Sequence, residues 1–188
     1  MDKDPLTPIE PLYGISRSLP FLNLFGILFL WFLGIYAYVS LEGLIPYNFD
    51  LSGQPTEYGS SEIFLIVTPF MTLAQTIILI VSKYRFTLLN KYPYLINLPA
   101  FYTYIMEIPF QKRGYWVNRY FEVVLALGVV LSLLMSLIFF GIYIGAIEEI
   151  LPSWFPLVSF SMVSIFIVSI IYSFYDLSKQ MKKAIEQK

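Results

Sequence analysis

The chain has no cysteine and no histidine, and only 13% of its 188 residues are charged. Without cysteine there is no disulfide, no thiolate nucleophile and no Cys-ligated metal. Without histidine the usual base near neutral pH is missing, and Ser-His-Asp triads and His-bearing metal motifs go with it. Internal repeats and low-complexity tracts are also absent. What is present is apolar: 57% hydrophobic residues, 19% aromatic, mean hydropathy +0.69. A soluble domain is nearer half apolar and a quarter charged, so the surplus must face something other than water.

Four apolar stretches are each long enough to cross a hydrocarbon core of about 30 Å, which takes roughly 20 helical residues. They run over about 21–44, 63–82, 120–147 and 154–175. The first has no ionisable residue before Glu42 and the third has only Glu122. The first run is too long for the core of a secretory signal and no A-x-A site follows it, so it reads as a retained anchor. The expectation is an all-α integral membrane protein, one four-span domain over 1–188.

Charge sets the orientation. All 12 Lys and Arg residues fall before the first span (Lys3, Arg17), between the second and third (Lys83 to Arg119), or after the fourth (Lys179 to Lys188). The other two connections, about 45–62 and 148–153, hold acids instead: Asp50, Glu57, Glu62, Glu148 and Glu149. Because basic residues are retained on the cytoplasmic side, both termini are expected to be cytoplasmic, in the cell membrane.

The connection 83–119 is unusually aromatic, from Tyr84 and Phe86 through Tyr92, Tyr94, Phe101 and Tyr104 to Tyr115 and Trp116. Rings and basic residues together favour the headgroup region. The preferred reading is an interfacial segment on the inner leaflet, with a short helix between Pro99 and Pro109; the alternative is a plug on the cytoplasmic end of the bundle.

The outer connection 45–62 reads as a turn-rich cap. Pro46 fixes the exit from the first span, Ser52-Gly53 and Tyr58-Gly59 are turn pairs, and Tyr47, Phe49 and Tyr58 supply a small apolar heart. Ser60 or Ser61 is placed to cap the second helix, with Glu62 in its first turn.

The spacing Ile45-Pro46-x-x-Phe49-x-x-x-Gly53-x-Pro55-x-x-Tyr58-Gly59-Ser60, set between two spans, resembles the signature of the small N-terminal domain of SdpI-like membrane proteins. The likeness covers about residues 20 to 85. Asn48 and Asp50 stand where that family carries His and Asn, and no counterpart of its C-terminal half is present. The resemblance implies a role in immunity against a secreted toxin, or in sensing one.

The outer acids offer hard oxygen ligands, but their spacing matches no dedicated cation loop. No catalytic, cofactor or metal site is expected. Glu122 can pair with Arg119 three residues earlier. In the second span Pro69 should bend the helix, and with Gln75 and Thr76 it marks a possible polar site. Small residues recur along the third span at Gly128, Ser132, Ser136, Gly141 and Gly145, and the fourth presents Ser161, Ser164, Ser169 and Ser173 as a partner stripe.

The functional expectation is a non-enzymatic protein acting by association, in an SdpI-like immunity or sensing role or as an accessory subunit. Its partners would be the bilayer and a membrane protein or a second copy, with no nucleic acid. The alternative is a small transporter or channel using the second span.

Overall fold

A computed structural model describes residues 5–93 and 99–186; Lys3, Tyr94 and Lys188 lie outside the described residues. A 3-10 turn at Gly14–Arg17 leads into α1 (Leu19–Ser40), and a hairpin of β1 (Ile45–Phe49) and β2 (Pro55–Gly59) follows. Then come α2 (Glu62–Lys83), two short helices α3 (Arg85–Lys91) and α4 (Pro99–Ile105), and the long α5 (Phe110–Glu148) and α6 (Phe155–Glu186). α1 with its leading turn, α2, α5 and α6 are the four helices long and apolar enough to cross a membrane.

Their limits have local causes. Pro20 sits in the first turn of α1, where a missing N–H is harmless. Glu62 and Lys83 lie at the two ends of α2 with the signs its dipole favours. α5 stops where Glu149 turns left-handed, at φ 55°.

α1, α2 and α5 form the packed centre, and α6 lies along α5 and α4 at the edge. Apolar tails drive no association in lipid, so close approach must come from small residues. Gly26 meets Ser132, Gly34 meets Thr68, and Gly128 meets Asn23 and Ile78. The lower half of the small-residue stripe on α5 therefore seats α1, not the serines of α6. Further along, Gly141 takes the ring of Phe155 and Gly145 that of Phe49. On α6, Ser161 is exposed and Ser164 and Ser169 bond back to their own helix, at Phe160 O and Ile165 O.

One expectation is corrected here. The fold is not wholly α, because the outer cap is an antiparallel hairpin pairing Ile45 with Gly59 and Phe49 with Pro55. Its tight turn, described below, brings the two extended segments together. In the connection between α2 and α5 the described residues 83–93 and 99–119 pack inward, and the expected short helix after Pro99 is present as α4. Phe86, Leu89, Phe101, Ile105, Ile108, Trp116 and Val117 form a core with Phe121, Leu177 and Met181. α5 and α6 continue past their apolar runs and supply two walls against which these rings bury their apolar area. Tyr84, Tyr92, Phe110 and Tyr115 stay exposed around the rim.

Candidate functional site

Among the described residues three places gather polar side chains: the hairpin, the three-helix centre, and the basic end where the N-terminal segment, α3, the start of α5 and the end of α6 meet.

In the hairpin, Asp50 organises the turn. One carboxylate oxygen accepts hydrogen bonds from the Ser52 N–H at 2.9 Å, the Ser52 hydroxyl at 2.7 Å and the Gln54 N–H at 2.9 Å. The Ser52 hydroxyl is the main reason its pKa falls below the ordinary 3.8, with the Gln54 amide next. Gly53 has φ 83°, and its carbonyl accepts the Leu151 N–H at 2.9 Å. A Cβ there would meet the Leu151 carbonyl, so the turn is fastened to the α5–α6 connection.

Most of the other cap residues share this structural work. Pro46 is buried, Phe49 is packed on Gly145, Pro55 pairs with Phe49, and Gly59 lies against the Tyr47 ring. Tyr58 is exposed and does not join the apolar heart, because its side chain leaves the outer face of β2. Asn48 is exposed and accepts the Phe49 N–H. Ser61 makes no capping bond to α2, and the Ser60 hydroxyl goes to Glu62 at 3.4 Å instead. Beneath the hairpin, Tyr47, Asn48, Phe64, Val67, Phe139 and neighbours line a cavity of about 260 Å³.

In the centre, Asn23 and Gln75 are fully buried. The Asn23 amide donates to Leu19 O at 2.9 Å and across to Leu125 O of α5 at 2.8 Å, while its own oxygen has no partner. Neither polar atom of Gln75 has a partner. Gln75 sits one turn from Ile78, which reaches Gly128 of α5. Thr68, Thr72 and Thr76 instead satisfy themselves on carbonyls of their own helix.

Pro69 is exposed on the outside of α2, Thr76 is half-buried and Gln75 is inside. The polar site read from Pro69, Gln75 and Thr76 is therefore not brought together, since six helical positions turn Pro69 away from Gln75. Asn23, unmarked in the sequence reading, is the side chain that links helices here. Its signal was there to find: it is the one Asn in an apolar run otherwise free of amides.

At the basic end an N-terminal strap, residues 5–13, is sewn down by amides and guanidiniums. Asn90 accepts the Thr7 N–H at 2.9 Å and donates to Thr7 O at 3.0 Å. Arg85 donates to Glu10 O, Ser82 O and the Asn118 side-chain oxygen. Asn118 donates to Glu10 O and Pro11 O, and Arg113 to Leu6 O, Met106 O and Ile108 O. Burial lowers the Arg85 pKa. The expected pair of Arg119 and Glu122 is present at 2.8 Å.

Among the described residues no three acids gather to hold a metal ion. The architecture is thus a four-helix apolar bundle closed by a hairpin at one end and a small aromatic core at the other. An uncharacterized protein of Archaeoglobus fulgidus is 41% identical over 160 residues, 85% of each chain. The chain belongs to the same family as that archaeal protein. No family model matches the chain, and no solved structure does.

Proposed function

We propose that this is a multi-pass membrane protein with both termini cytoplasmic, acting by association with another membrane protein or a second copy of itself. The observation that carries the reading is α6. Between Phe155 and Leu177 none of its residues is buried, whereas α1, α2 and α5 each bury several inside the bundle. An apolar helix held on one side, with Ser161 and large apolar side chains such as Ile165, Val168 and Ile171 exposed, supports a further helical neighbour in the bilayer. The absence of cysteine and histidine weighs against catalysis.

The hairpin motif favours an SdpI-like immunity or sensing role within this reading, and toxin challenge of cells with and without the protein tests that part. Association itself is tested by purification from native membranes in mild detergent, with mass determination of the intact complex. A stoichiometric complex, lost on replacing Ile165 and Ile171 of α6 by Trp, is expected. A lone monomer in repeated preparations would overturn the reading.

A second reading, a small transporter or channel, has one observation in its favour: the Gln75 amide lies in the bundle centre without partners. Flux in proteoliposomes that vanishes in a folded Gln75→Ala variant is its expected result, and no flux across a broad solute panel rejects it.

A further inference from the structure

A groove of about 620 Å³ opens at the basic end between the strap, the start of α1 and the end of α2. Phe21, Leu24 and Leu79 are among its walls, and Ser82, Lys83 and Arg85 form its rim. The walls are apolar and run along the helices toward the middle of the bundle. The rim is cationic, and no acid lines it.

Each rim group has capacity left over. Arg85 uses three N–H groups on Ser82 O, Glu10 O and Asn118, out of the five a guanidinium carries. It forms no ion pair among the described residues. The Ser82 hydroxyl is buried, with the residue 3% exposed, and has no hydrogen-bond partner. Lys83 rests its ammonium 5.6 Å from the Tyr84 ring centroid and is otherwise exposed.

A half-buried guanidinium, an ammonium and an orphan hydroxyl together call for an anion with several acceptor oxygens. The apolar trough beneath calls for a hydrocarbon chain. We propose that this groove binds one anionic phospholipid, its phosphate held by Ser82, Lys83 and Arg85 and one chain laid along Phe21, Leu24 and Leu79. A free phosphate would leave the trough empty, and a zwitterionic lipid would bring a cation against Lys83 and Arg85. The depth agrees: α1 starts and α2 ends here, at the level where headgroups lie beside a spanning helix. The proposal rests only on the membrane placement given above, not on association.

The test is native mass spectrometry of the full chain, delipidated in detergent and titrated with phosphatidylglycerol, phosphatidylcholine or glycerol phosphate. One phosphatidylglycerol per chain is expected, at least tenfold tighter than phosphatidylcholine, with glycerol phosphate not retained. Ser82→Ala with Lys83→Gln should weaken it roughly tenfold, about the loss of one charge-assisted hydrogen bond. Leu24→Trp, which fills the trough and leaves every charge in place, should weaken it comparably. Lys179→Gln, an exposed cation on α6, should change nothing. Equal binding of the two lipids, retention of glycerol phosphate alone, or indifference to both the rim and trough variants would overturn the proposal. A chain that failed to fractionate with membranes would instead overturn the placement on which it rests.

Discussion

Asp50 shows how much one side chain can organise. Its carboxylate bonds form with the ionised group, so the folded pKa lies below 3.8. For such a shift the stabilisation is complete above the unfolded pKa and is lost as pH falls through the folded one. Hydrogen-exchange protection of the Ser52 and Gln54 amides, corrected for intrinsic rates, should persist at neutral and mildly acid pH and collapse only below about 3.8. In Asp50→Ala it should be low throughout. Gln75 makes the opposite case, a buried amide with nothing to bond. An unsatisfied buried polar group costs about 1–3 kcal/mol. Gln75→Met, similar in shape, should keep or raise the thermal stability measured in detergent, and a drop of several degrees would reveal a partner for the amide.

At the level of elements, what could be read from the sequence depended on range. Four apolar runs gave four long helices because length and hydropathy are local properties, and Arg119 and Glu122 met because they are three residues apart. The hairpin was less legible. Its turn residues were visible at Asp50, Ser52 and Gly53, but the bulged pairing of Asn48 with Glu57 follows no simple alternation. The strap was out of reach altogether, since Thr7 finds Asn90 at a separation of 83 residues and Leu6 finds Arg113 at 107. Asn23 belongs with the strap, because what matters is a carbonyl 102 residues away. Asn90→Ala removes all three bonds to Thr7 and should free the strap without unfolding the bundle. Trypsin cleavage after Arg17 should then speed up several-fold while the helical circular dichroism is unchanged.

For the whole molecule, the governing feature is the division of charge between its ends. The described basic residues cluster with the strap, the aromatic core and the end of α6, while the hairpin end carries Glu42, Asp50, Glu57, Glu62, Glu148 and Glu149 and no Lys or Arg. The absence of cysteine makes the proposed orientation simple to check. A single Cys at Leu51, 96% exposed in the hairpin turn, should react with an impermeant maleimide in intact cells. One at Lys179 should react only after permeabilisation. The reverse pattern would invert the topology.

α5 is one uninterrupted helix of 39 residues. At 1.5 Å per residue it measures about 58 Å, nearly twice the hydrocarbon thickness of about 30 Å. The part beyond the apolar run carries Trp116 and Val117 into the aromatic core, and Phe121 joins them from the edge of the run. In the proposed placement the helix is a stiff lever with the bilayer as its fulcrum. A change in membrane thickness that tilts it by about 5° would swing its free arm sideways by about 2 Å. The core is bolted to that arm and the strap is tied to the core, so mechanical strain in the lipid would reach the N terminus with no hinge to absorb it.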